Sequence, residues 1–137
     1  RVGTLWKCEV LKLPKLWPCD YCGVRFGKVE AWIEIKNRNY NFAQLDALGG
    51  YMMGVTKVIG MNDLLAVTQK PVMLCVNLTD GLYFYKYKPL VPYATEIRGR
   101  VDRGDPADME PCVMFPMNNF EKLANAQDRI HADREDA

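Results

Sequence analysis

Residues Val29 to Lys36 alternate with a period of two, so that Val29, Ala31, Ile33 and Ile35 fall on one side and Glu30, Trp32, Glu34 and Lys36 on the other. Successive side chains of a strand point to opposite faces, and this stretch therefore predicts a half-buried strand with the first set as its core face. Upstream, Leu5, Val10, Leu11, Leu13 and Leu16 are spaced in a partly helical way, and Pro14 confines any helix to the residues before it. The pattern predicts a short helix over Thr4 to Lys12, carrying Glu9. Pro18 then opens an extended piece containing Asp20, and Gly23 and Gly27 predict a twisted or bulged hairpin into the central strand.

Beyond the polar loop Asn37 to Asn41, the residues Leu45, Leu48, Met52, Val55, Ile59, Leu64, Leu65 and Val67 step by three or four. That period predicts two helices between Phe42 and Thr68, broken near Gly60-Met61-Asn62, with Asn62 as the second cap. Pro71 ends the helical pattern, and Val72 to Val76 is the unbroken apolar run of a strand buried on both faces. Thr79-Asp80-Gly81 is a turn into the aromatic strand Leu82 to Tyr87. Arg98 to Arg103 reads as a charged loop or edge strand, and Cys112 to Phe115 as a last short strand. Phe120, Leu123, Gln127 and Ile130 lie near one helical stripe capped at Asn118 or Asn119. The order predicts an α/β domain, residues 1–131, with a mixed central β-sheet flanked by α-helices and a charged tail at 132–137.

Composition narrows the function less than the pattern does. Among 137 residues, 18 are basic and 17 acidic, so any attraction to nucleic acid must come from a local patch. No apolar run approaches the ~18 residues of a membrane span, and no membrane partner is expected. Five cysteines, an odd number and widely spaced, fit a reducing cytoplasmic setting better than a disulfide scaffold. Phosphate-loop motifs are absent, and the single His131 leaves a Ser-His or Cys-His nucleophile without support.

Glu34 and Lys36 carry the candidate chemistry. A strand rise of about 3.3 Å per residue sets their Cα atoms roughly 6.6 Å apart on one face, close enough for a carboxylate and an ammonium to reach one phosphate or one metal-bound water. The ordinary reading of such a pair is an exposed ion pair. With Asp20 upstream in Trp17-Pro18-Cys19-Asp20-Tyr21, however, Asp20…Glu34-Ile35-Lys36 resembles the Asp…Glu-x-Lys signature of the PD-(D/E)XK nucleases, the restriction-endonuclease-like superfamily, and its small phage-encoded members in particular.

The resemblance implies a restriction-endonuclease-like core and a metal-dependent DNA endonuclease. Mg²⁺ or Mn²⁺ would be held by Asp20, Glu34 and the backbone carbonyl of Ile35, with Glu9 as a further carboxylate, while Lys36 orients the attacking water. Arg25, Lys28, Arg38 and Lys57 lie close in sequence to these residues and, with Tyr51, are candidates for DNA contact. Each has a plain alternative as a solvated charge or a core tyrosine. Arg98, Arg100 and Arg103 form a second basic cluster. Cleavage of both strands or of a branched junction implies a homodimer, and a phage origin implies the host cytoplasm. The alternative is a catalytically inactive nuclease-fold DNA-binding or phage accessory protein. A third reading starts from Cys19-x-x-Cys22, half of a zinc site that Cys8 and Cys112 would complete, against the ordinary reading of buried thiols.

Overall fold

The computed structural model describes residues 2–99 and 109–125. In chain order the elements are α1 (Val2–Trp6), β1 (Glu9–Lys12), β2 (Tyr21–Arg25), β3 (Lys28–Asn37), α2 (Phe42–Ala47), β4 (Tyr51–Gly54), α3 (Val55–Thr68), β5 (Val72–Leu78), β6 (Gly81–Lys86), β7 (Ala94–Gly99), β8 (Met109–Phe115) and β9 (Glu121–Asn125). Six strands form one mixed sheet in the order β1-β2-β3-β5-β6-β9, in which the β3–β5 pair is parallel and the other pairs are antiparallel. A smaller antiparallel sheet has the order β4-β8-β7. This is the α/β class expected, a mixed sheet with helices on its faces.

The central strand is sandwiched. On one face Trp32, Leu74, Val76 and Tyr85 pack under α3 and the small sheet, with Val58, Met61, Met53 and Phe115. On the other face Ile33, Cys75 and Leu82 pack under α1 through Val2, Leu5 and Trp6. The side carrying Trp32, Glu34 and Lys36 is therefore the face of the larger core, not a solvated one. β5, in the middle, buries Val72, Leu74, Cys75 and Val76 completely, as its unbroken apolar run requires. The expected bulge falls in the β2–β3 hairpin: Gly23 pairs with Ala31 but Val24 with Val29, which leaves Glu30 as the extra residue. One extra residue reverses the facing of what precedes it, so Val29 packs with the cluster of Trp32 and not with Ile33.

Two expected helices are replaced, and the break between the other two is moved. Thr4 to Lys12 is not one helix: Lys7 turns the chain at a φ of 53°, and Glu9–Lys12 becomes a strand paired to β2. So short a helix has too few internal hydrogen bonds to outcompete that ladder. Between Phe42 and Thr68 the break falls at Gly49-Gly50, where φ is 102° and 107°, and not at Gly60. A Cβ on Gly50 would lie 2.2 Å from the carbonyl oxygen of Phe115, so glycine is what lets β4 close onto β8. α2 begins with a capping box in which the Asn41 side chain accepts from the Gln44 amide at 2.8 Å and Gln44 accepts from the Asn41 amide at 2.8 Å. Asn62 is no cap; it lies inside α3 and its Oδ1 accepts the Tyr87 hydroxyl at 2.5 Å.

After Phe115 a short 3-10 turn, Met117–Asn119, leads into β9 in place of the last expected helix. Phe120, just before β9, packs with the larger core, while Leu123, the extra residue at a bulge opposite Leu82 and Tyr83, packs with the smaller beside Ala124. Gln127, Ile130, Arg100, Arg103, His131 and the tail at 132–137 lie outside the described residues. Among the described residues no helix is long and apolar enough to cross a membrane.

Candidate active site

Glu34 points from β3 into the larger core, is 2 % exposed, and has two partners there. Lys57, in the first turn of α3, brings its Nζ to 2.5 Å from Glu34 Oε1. The backbone N–H of Asp20 donates to Glu34 Oε2 at 3.3 Å. The Asp20 carboxylate reaches the same ammonium, with Oδ1 3.7 Å from Lys57 Nζ. Asp20 and Glu34 thus converge on one cation position, which the Lys57 ammonium fills.

The loop carrying Asp20 is set by packing. Leu13 N–H donates to the Asp20 carbonyl at 2.8 Å, and the Trp17 ring lies 5.7 Å from that of Trp32. Pro18 seats on α3 at Gly60, where a Cβ would stand 2.9 Å from the Pro18 Cβ. Gly60 is therefore not a helix break but the notch into which the loop docks. Cys19 and Asp20 follow directly, over Glu34.

The ladder also orients a backbone acceptor. Trp32 N–H donates to Pro71 O and Arg38 N–H to Asn77 O, so the even-numbered residues of β3 turn their backbone groups toward β5. The odd-numbered ones, Ile35 included, face the β2 side. β2 begins at Tyr21, opposite Ile33, so the Ile35 carbonyl projects past the end of the ladder on the side where Asp20 lies.

Lys36 stands apart from Lys57. Its Nζ donates to the carbonyl of Met52 at 2.7 Å and lies 4.9 Å from the centroid of the Tyr51 ring. Burial, followed by the Arg38 charge, lowers its pKa to about 8. Burial raises the Glu34 carboxyl, while the hydrogen bond and charge of Lys57 pull it back. The Cys19 thiol is pushed up to about 12 by burial and then by Glu34, which keeps it protonated and inert.

The remaining candidates separate. Glu9 is exposed on β1, not on a helix, four residues from the Leu13 that bonds Asp20, or about 13 Å along the strand. Among the described residues no group of three or more His, Cys, Asp or Glu is placed to hold a metal, so Glu9 does not join Asp20 and Glu34, and Cys8, Cys19, Cys22 and Cys112 do not converge. Lys28 begins β3 six residues before Glu34, about 20 Å away, at the tip of the hairpin. Arg25, paired with it, donates to the carbonyls of Trp6 at 2.6 Å and Lys7 at 3.4 Å and ties the hairpin to the end of α1. Tyr51 reaches Lys36 from β4, not from a helix, and is buried against Phe115 and Phe120. Lys57 sits between the acids, whereas Arg38 borders a separate cavity with Lys36 and Tyr51.

A groove of about 610 Å³ beside the two acids is lined by Lys15, Trp17, Lys36, Lys57 and Glu110. Lys15, Trp17 and Glu110 were not expected there. Nothing local to the sequence marks them, because the 13–20 loop and β8 are far apart along the chain and are brought to one groove only by the fold.

Residues 1–123 match the model of a family described as "Phage putative PDDEXK endonuclease". No curated protein matches the chain. Among solved structures, Hjc, a Holliday junction resolvase from the archaeal hyperthermophile Archaeoglobus fulgidus, is similar over 62% of this chain and 71% of its own, with 15% identity and a TM-score of 0.45.

Proposed function

The chain belongs to this phage PDDEXK endonuclease family, and from that membership we propose that it hydrolyses DNA phosphodiester bonds with Mg²⁺ or Mn²⁺. The observation that carries the reading is the convergence of Asp20 and Glu34 on one cation position. Two carboxylates and a backbone carbonyl are hard oxygen donors, the set a small divalent cation takes while keeping waters for itself and for substrate phosphate. Asp20, Glu34 and the Ile35 carbonyl would hold it, and when bound it supplies an acidified water and charge relief on the phosphate.

The chain's own residues do the rest. Glu34 is buried and its position is set by the Asp20 amide and Lys57, so the acid is preorganised before substrate arrives. Lys36, held over Tyr51 by its bond to Met52, supplies a fixed positive charge to orient the water and offset charge on the phosphate. The groove lined by Lys15, Trp17 and Lys57 takes the strand on either side of the cut. One such centre per chain cuts both strands through a homodimer, and a phage enzyme of this kind works in the host cytoplasm.

A second reading, a DNA-binding relative without catalysis, is favoured by one observation: Lys57 already fills the cation seat. A single-turnover assay on DNA with Mn²⁺ separates the two. Asp20→Asn, Glu34→Gln and Lys36→Met are each expected to lower the rate by about 100-fold or more. Mobility shifts in EDTA should show DNA binding retained. Undiminished cleavage by Glu34→Gln removes the nuclease site from these residues. Metal-independent binding with no cleavage by the unaltered chain leaves the second reading.

A further inference from the structure

Lys36 borders a second cavity, of about 300 Å³, that the mechanism above does not use. Among the described residues its lining holds three cations, Lys36, Arg38 and Arg98, and no carboxylate. They come from separate parts of the fold: Lys36 from β3, Arg38 from just beyond it, Arg98 from β7 of the small sheet. Arg38 Nη1 donates to Asn37 O at 2.9 Å, and Arg98 bonds Glu96 at 2.6 Å and Leu48 O at 3.3 Å, so both guanidiniums are tethered while donors remain. The rest of the wall is apolar or aromatic, with Tyr40, Leu45, Met52 and Met114. Tyr51, also in the wall, has a buried hydroxyl without a hydrogen-bond partner among the described residues. Gly49 keeps the space open, since a Cβ there would stand 3.1 Å from the terminal methyl carbon of Met114 and 3.9 Å from an Arg98 nitrogen.

Two chemistries are built into one cavity. Guanidiniums with donors to spare select a phosphate, and the carboxylate in contact with Arg98, that of Glu96, lies outside the lining. A phosphate alone does not call for the apolar wall, and the volume is that of a site for a whole small ligand, mostly apolar with a few polar anchors. A nucleotide has both halves, and a base sits against an aromatic or apolar side chain whatever its identity. Lys36 belongs to this cavity and to the groove beside Asp20 and Glu34, so what occupies the two are neighbours on one strand.

We propose that the cavity takes one unstacked nucleotide of the strand being cut, its phosphate on Arg38 and Arg98 and its base against Tyr40, next to the scissile bond. The proposal rests on the nuclease reading and names its substrate: DNA with at least one unpaired nucleotide beside the cut. Extracting a base from a perfect duplex costs a few kcal/mol, whereas an unpaired one enters without that cost.

The test uses the whole chain in EDTA, where nothing is cleaved, with thymidine 5′-monophosphate as probe and thymidine and inorganic phosphate as its halves, followed by NMR. Saturable binding of the monophosphate at one site per chain is expected, with each half at least about tenfold weaker. Arg98→Gln and Arg38→Gln should each weaken it at least about fivefold with an unchanged thermal midpoint, and Lys28→Gln, at the far hairpin, should not. No saturable binding, binding that both arginine variants retain, or phosphate bound as tightly as the nucleotide overturns the proposal. A chain that binds the nucleotide but never cuts DNA fails the nuclease reading alone. One that cuts perfect duplex as fast as single strands, without nucleotide binding, fails this proposal alone.

Discussion

Lys57→Met removes the ammonium from between Asp20 and Glu34 while keeping the length and apolar stem of the side chain. Glu34 is 2 % exposed, so its carboxylate is left buried with only the 3.3 Å bond from the Asp20 amide. Stripping one partner from a fully buried pair costs about 3–5 kcal/mol. Lys57 is itself 32 % exposed, which lets water relieve part of that. A loss of roughly 2 kcal/mol is therefore expected in EDTA, or a fall in Tm of roughly 6–10 °C for a chain of this size. Glu34→Gln in the same background should recover about 1 kcal/mol or more of it, since no charge then needs a partner.

Divalent cation narrows the gap. In the unaltered chain the metal must displace an ammonium, whereas in Lys57→Met the seat is open and anionic, so Mn²⁺ should bind roughly tenfold more tightly, worth about 1.4 kcal/mol. Metal at about 100 times the variant's Kd adds roughly 2.7 kcal/mol to the variant and roughly 1.4 kcal/mol to the parent, which closes more than half of the gap of about 2 kcal/mol. Urea unfolding followed by fluorescence, with EDTA and with MnCl₂, reads both effects without any cleavage assay. An unchanged stability in EDTA, or equal protection of both proteins by Mn²⁺, refutes the shared cation position.

Gly60→Ala sets helix propensity, which favours Ala by about 1 kcal/mol, against the contact with Pro18. Thermal unfolding should move by less than about 1 kcal/mol, while calorimetric Mn²⁺ affinity falls severalfold because the Asp20 loop is lifted; parallel changes in both, or in neither, contradict the docking role of that glycine. Cys19, Cys22, Cys75 and Cys112 are buried and Cys8 is partly exposed, so a thiol reagent should label at most one cysteine per native chain and five after denaturation. Rapid labelling of two or more in the native protein contradicts the packing around Cys19.

The predictable parts of this chain are those where side-chain period and local chemistry agree. The two-residue period of Val29 to Lys36 is a strand in the structure, and the Gly23 region bulges. The run Val72–Val76 becomes the most deeply buried strand. Period fails where spacing is shared by two structures. Leu45, Leu48, Met52 and Val55 step like a helix, yet Gly49-Gly50 turns the chain so that Met53 faces the core from β4. Phe120 and Leu123 are three apart, which suits a helical stripe, but the chain is extended there and sends Phe120 to the larger core and Leu123, in β9, to the smaller.

The sequence by itself determined that Glu34 and Lys36 share one face of a strand, because covalent geometry forces alternation, and it placed an acid on the loop before them. Only the tertiary structure decided which residues meet there. Docking of Pro18 into the space left by Gly60 brings Asp20 over Glu34, the start of α3 delivers Lys57 between them, and β7 carries Arg98 to the cavity beside Lys36. Those encounters join residues dozens of positions apart, through contacts between elements that no local pattern encodes.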